Sequence, residues 1–144
     1  MQDQAERLKR NILVVDNQPD HVGLIQEVLK ADTYQILALC DGQQALDFLY
    51  HRGEYQTALR PDLILLDLNL PDLGGWHILK TLKDDQKLRR IPVVVFTSSR
   101  ANIYQAYELH SNSYVLKSEE IDQLPQIIKR IEEFWLEIVT LPAQ

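Results

Sequence analysis

The chain has 144 residues, 45% of them hydrophobic and 25% charged, enough for one domain with a sizeable core and too few for two. Its net charge of −6, with no arginine-rich stripe, excludes a nucleic-acid backbone or an anionic membrane as the main partner. A single cysteine, Cys40, a polar Met1–Arg10 segment without a signal-peptide core, and no apolar run able to span a bilayer predict a soluble protein of the reducing cytoplasm.

The run Ile12-Leu13-Val14-Val15 is too short for an ordinary helix and branched enough for a fully buried strand; it stops on Asp16 and Asn17. Pro19-Asp20 signals a turn and a helix start, followed by a helical segment near Val22–Lys30. Tyr34–Cys40 predicts a second strand, punctuated by Asp41-Gly42, and Gln43–Arg52 sets Ala45, Leu46, Phe48 and Leu49 at helical spacing. After a polar loop, Gly53–Pro61, the run Leu63–Leu66 predicts a third strand, which stops on Asp67. The break Pro71-Asp72-Leu73-Gly74-Gly75 leads into a helix near Trp76–Asp84. Pro92 opens a fourth strand, Val93–Phe96, ending on Thr97-Ser98-Ser99. A weaker helix near Asn102–His110 then leads to the short strand Tyr114–Leu116, closed by Lys117. The last helix is expected from about Asp122 to Val139. Five βα units in series predict an α/β fold, a doubly wound parallel sheet with helices on both faces. One domain spans 1–144, with loose ends at 1–10 and 140–144.

In such a sheet the carboxyl ends of the strands converge on one rim, where ligands bind at the point of strand-order reversal. Four strand ends there carry complementary polar groups: Asp16 with Asn17, Asp67, Thr97 and Lys117. Carboxylates and an amide oxygen are hard donors suited to Mg²⁺, lysine is a point charge for a phosphoryl group, and a threonine hydroxyl can donate to a phosphate oxygen. An aspartate can itself be the nucleophile, and phosphoryl transfer needs little beyond in-line positioning and charge neutralisation. Singly, an aspartate after a strand is as readily a turn residue or helix cap. The set of four strand ends is what points to chemistry.

The residues Ile12-Leu13-Val14-Val15-Asp16-Asn17, Asp62–Pro71, Val94-Val95-Phe96-Thr97-Ser98 and Tyr114-Val115-Leu116-Lys117 resemble the receiver domain of two-component response regulators over essentially the whole chain. The ending Ile131–Pro142 is similar to that of single-domain regulators paired with cyanobacterial phytochromes. The resemblance implies a five-stranded flavodoxin-like (βα)5 receiver fold of strand order 2-1-3-4-5, with no output domain and no classical enzymatic activity. It makes Asp67 the aspartate phosphorylated by a sensor histidine kinase, here of phytochrome type. Asp16, Asn17, Asp67 and the backbone carbonyl of Asn69 would hold Mg²⁺. Thr97 would grip the phosphoryl group and Lys117 would pair with it. Tyr114 would be an aromatic switch turning inward as Thr97 moves; from the residues alone it is equally a half-buried edge aromatic.

Two departures matter. Asn17 stands where the family usually has a carboxylate that touches the metal, so one negative charge is missing and weak Mg²⁺ binding is expected. Ser118 follows Lys117 where the family usually has proline, which removes the usual reason for a cis peptide there. On the last helix, at about 100° per residue, Leu124, Ile128, Ile131, Trp135 and Ile138 form one stripe. Ile127, Phe134 and Leu141 form a second beside it, widening the apolar face to roughly 160°. The second stripe is expected to be a homodimer interface, built on the fourth and fifth helices and fifth strand as the resemblance implies, unless the tail folds back and covers it. The four histidines show no metal-ligand spacing, and Cys40 is expected to be a small core residue. Three classes of function compete: a phosphorylated signalling module, a phosphate-independent receiver-like binding module fed by Asn17, and a small flavodoxin-like enzyme or cofactor binder. Against the third stands the lack of a phosphate loop after the first strand.

Overall fold

The computed structural model describes residues 9–142 apart from Ala31, Asp32 and Leu73, so the outermost parts of the two expected loose ends lie outside the described residues. The apolar runs form β1 (Arg10–Val15), β2 (Tyr34–Leu39), β3 (Leu63–Leu66), β4 (Val93–Thr97) and β5 (Ser113–Leu116). All neighbours pair in parallel, in the order β2-β1-β3-β4-β5. The intervening helices are α1 (Pro19–Leu29), α2 (Gly42–Leu49), α3 (Gly74–Asp84), α4 (Ile103–Glu108) and α5 (Leu124–Glu132). The expected loop Gly53–Pro61 contains a short 3₁₀ turn, Gly53–Tyr55. A second such turn, Ile121–Gln123, occupies the expected start of the last helix.

Side chains alternate across the sheet and divide the core in two. Leu13, Val15, Ile64, Leu66, Val93 and Val95 pack under α2, α3 and Ala106 of α4. Ile12, Val14, Leu63, Leu65, Val94 and Phe96 pack under α1 and α5. β3 is fully buried, which is why it is a continuous apolar run rather than an alternating one. Reversal of strand order falls between β1 and β3, where Val15 lies opposite Leu66. The next residue on each strand is an aspartate, so this register sets Asp16 beside Asp67.

The carboxyl end of the chain departs from the sequence expectation. The α-helical hydrogen bonding of α5 gives way to a π-helical segment, Glu133–Ile138, and Val139 is extended. A π turn advances the chain by fewer degrees per residue than an α turn, so faces projected at α spacing drift out of phase. Ile138, expected on the buried stripe, is 72% exposed, whereas Leu141, expected on the interface stripe, is 5% exposed. The stripe Ile127, Phe134, Leu141 is therefore not one surface: Leu141 is buried within the chain and Ile127 packs partly on the α1–α5 side of the core. Phe134 is half exposed and meets Trp135 edge to face. Just before the π segment, buried Glu132 accepts from Lys129 at 2.7 Å. Burial, reinforced by the Glu132 charge, pushes the Tyr34 phenol up to about 12. Cys40 is exposed rather than in the core, because it lies one residue past the end of β2 at Leu39; its Sγ faces the Gln44 amide at 3.7 Å.

α3 begins directly against the backbone of the Asp67 loop. A Cβ at Gly75 would lie 2.5 Å from Leu68 Cα and 2.6 Å from the Asp67 carbonyl oxygen, and the Gly75 N–H donates to the Leu68 carbonyl at 3.0 Å. Gly75→Ala is expected to lower stability by roughly 1–3 kcal/mol in urea unfolding, since only a backbone shift relieves the contact. An unchanged midpoint would mean that the α3 start is not packed this tightly.

Candidate functional site

Backbone bonds at the strand ends set up the site. The Asp16 N–H donates to the Leu39 carbonyl (3.0 Å), the Asp67 N–H to the Val15 carbonyl (2.9 Å) and the Lys117 N–H to the Thr97 carbonyl (2.8 Å). The sheet ladder thus runs one residue past each strand, and Asp16, Asp67, Thr97 and Lys117 all arrive at one rim. All four are buried. The Lys117 ammonium donates to Asp16 Oδ2 at 2.7 Å and to Asp67 Oδ2 at 2.8 Å, while lying 5.7 Å from the centre of the Phe96 ring. Side-chain exposure in this triad is 1–3%, so the charges interact in a medium far less polar than water.

The second oxygen of each carboxylate is fixed by the turn that follows it. Asp16 Oδ1 accepts the Gln18 N–H and Asp67 Oδ1 accepts the Asn69 N–H, both at 2.9 Å. Asn69 is exposed, and its amide nitrogen reaches the Thr97 hydroxyl at 3.4 Å, a link between the β3 and β4 loops with no signal in the sequence. Asn17 is exposed at the rim. Tyr114 is half buried; its hydroxyl donates to the Ser99 carbonyl, and its N–H donates to the Tyr107 hydroxyl at 3.1 Å. Burial first, and then the Asp67 charge, push its phenol above the usual value. Tyr114 therefore ties the loop after β4 to β5.

Sequence reasoning missed His21. Its Nδ1 lies 2.9 Å from the Lys117 Nζ, in the first turn of α1. Burial and then the Lys117 charge hold its pKa below the ordinary value. The available signal was the Pro19-Asp20 helix start, which places His21 one turn past Asp16.

A divalent cation fits the donor set. Each buried carboxylate still has acceptor capacity after its lysine and backbone bonds, and the charge of two carboxylates against one ammonium leaves the triad net negative. The donors are carboxylate oxygens, two of them within reach of one ammonium. That pattern suits an ion like Mg²⁺, which takes one or two carboxylates and completes its shell with carbonyls and water.

The family profile of the response regulator receiver domain matches residues 12–129. Response regulator Rcp1 of Synechocystis sp. is 45% identical over 147 aligned positions that cover 99% of each chain. The crystal structure of the phosphorylated cyanobacterial phytochrome response regulator RcpA superposes with a TM-score of 0.90 at 44% identity, covering 94% of this chain and 99% of that one. The Mn²⁺-bound form of Rcp1 does so at 0.90 and 45%, covering 93% and 99%.

Replacing Lys117 by methionine leaves Asp16 and Asp67 buried side by side without a counter-charge. Lys117→Met is expected to cost roughly 3 kcal/mol of stability at neutral pH. Added Mg²⁺ should then raise the thermal midpoint of the variant more than that of the parent. An equal Mg²⁺ response in both would contradict the triad as the charge balance of the site.

Proposed function

The chain belongs to the response regulator receiver domain family, and on that premise we propose that it accepts a phosphoryl group on Asp67 from a sensor histidine kinase of phytochrome type. The single observation that carries this reading is the Lys117 ammonium shared by Asp16 and Asp67 at the point of strand-order reversal. In the transfer, an Asp67 oxygen attacks the phosphorus of a phosphohistidine; the new P–O bond forms as the P–N bond breaks, and the imidazole leaves to be protonated by solvent. Lys117 exchanges part of its contact with Asp67 for a phosphoryl oxygen. Thr97, freed from Asn69, offers its hydroxyl to another.

Asp16, Asp67, the Asn69 carbonyl and Asn17 would hold Mg²⁺. When bound, the ion neutralises charge on the transferring group. Asn17 contributes an amide oxygen in place of a carboxylate, so Mg²⁺ is held weakly. Loss of the Asn69–Thr97 link frees the β4 loop, and Tyr114, tied to Ser99, carries the change towards α4 and β5. That alters a protein-contact surface in a two-state manner. Such an exchange with a kinase belongs to the cytoplasm, and no helix of the described chain is long and apolar enough to cross a membrane.

We also propose a homodimer through the exposed apolar side chains at the end of the chain, Phe134 and Ile138, together with the flank of Ile127. Buried Leu141 is left out of that surface and instead anchors the tail that carries it. The competing phosphate-independent reading draws on Asn17 alone.

Incubation with a small phosphodonor, read by intact-mass spectrometry, is expected to add one phosphate that requires both Mg²⁺ and Asp67. No adduct over a wide Mg²⁺ range, with kinase donors as well, would transfer the assignment to the phosphate-independent module. Asn17→Asp should tighten Mg²⁺ on the order of tenfold and speed phosphorylation; no change in either would remove Asn17 from the metal site. In sedimentation, Phe134→Asp should give monomer, and an unchanged mass would count against this surface.

A further inference from the structure

An ammonium has three N–H donors and no acceptor. Lys117 Nζ spends one on Asp16 Oδ2 and one on Asp67 Oδ2. His21 Nδ1 lies 2.9 Å from the same Nζ, within hydrogen-bond reach of the third. We infer that His21 is the third acceptor of the Lys117 ammonium, through a bare Nδ1, and that it positions that ammonium for phosphoryl transfer. A group with donors only cannot face a protonated nitrogen, so the imidazole is neutral and carries its proton on Nε2. The pKa held down by burial agrees with that state.

The placement is over-determined by the backbone. The Asp16 side chain accepts the Gln18 N–H, and the Gln18 carbonyl accepts the His21 N–H at 3.1 Å, so Asp16, Gln18, His21 and Lys117 close a ring of hydrogen bonds. Ile25 and Leu29 anchor the rest of α1 in the core, which holds the imidazole where it is. His21 is thus a positioning residue. It directs the two remaining N–H bonds of Lys117 at the carboxylates, and it keeps the ammonium from turning toward a single one when Asp67 is modified.

The kinetic consequence rests on the phosphoacceptor reading of Asp67; the contact itself does not. Asparagine places its Oδ1 at the same number of bonds from Cα as histidine Nδ1, whereas glutamine places its oxygen one bond further out. In full-length protein with saturating Mg²⁺ and a small phosphodonor, His21→Leu and His21→Gln are expected to slow phosphorylation roughly three- to tenfold. His21→Asn should stay within about twofold of the parent, because it restores an acceptor at the δ position. Thermal melts accompany each variant, and if the leucine form fails to fold, the Asn and Gln pair carries the test. A leucine variant at the parental rate, or Gln rescuing as well as Asn, would overturn the assignment.

Imidazole nitrogen NMR on the unphosphorylated parent supplies an independent readout. Bare Nδ1 with protonated Nε2, and a coupling or contact to the Lys117 ammonium, is the expected result; protonated Nδ1 would refute it. Should the parent take up no phosphate at all, the phosphoacceptor reading falls, and the His21–Lys117 contact still stands or falls on its own signal.

Discussion

A single buried ammonium, Lys117 Nζ, organises this molecule's functional rim. Two carboxylates at 2–3% exposure would repel each other strongly in so weakly screening a place. Lys117 removes that repulsion only in part, and the remaining negative charge makes the site receptive to a divalent cation. The fold exists to deliver these groups together. Parallel pairing of β1 with both β2 and β3 puts Asp16 next to Asp67, and pairing of β4 with β5 brings Lys117 beside Thr97. The Lys117 side chain is 1% exposed and its ammonium lies 5.7 Å from the Phe96 ring centre, so it reaches both carboxylates out of contact with bulk water.

The groups around the triad connect it to the surface. Asn69 touches Thr97 from the β3 loop, Tyr114 holds the Ser99 carbonyl from β5, and Gly75 lets α3 start against the backbone of Asp67 and Leu68. A phosphoryl group arriving at Asp67 would therefore disturb contacts belonging to two separate loops, β3–α3 and β4–α4. At the other end of the molecule the π segment turns Phe134 and Ile138 outward while Leu141 goes in. The same local change in helix geometry that spoils a continuous stripe also leaves two apolar side chains largely exposed.

The strands were legible because fully buried parallel strands need branched apolar runs and nothing else competes for such a sequence. Their polar endings were legible for the converse reason: a carboxylate or ammonium at the close of a buried run has no packing role. What stayed hidden depended on three-dimensional reach. The helix start at Pro19-Asp20 placed His21 near the rim, but nothing in the spacing tied it to Lys117, which follows β5, and the Asn69–Thr97 contact joins segments far apart in the chain. Ile138 was misplaced because projecting a helix at constant angle presumes α geometry to its end, and the hydrogen bonding changes at Glu133; Leu141 was misplaced because the chain is already extended at Val139 and no helical projection applies to it. Cys40 was misplaced because an apolar strand pattern does not say at which residue the strand leaves the sheet.

The most direct measurement is a crystal structure of the protein grown with Mg²⁺ and beryllofluoride, which mimics a phosphoryl group on a carboxylate. The account predicts beryllofluoride on Asp67 with Lys117 and Thr97 on its fluorines, and the metal held by Asp16, Asp67 and the Asn69 carbonyl. An Asp67 that stays bare, with Lys117 still bridging it to Asp16, would contradict the claim that this triad is a phosphoryl-accepting site.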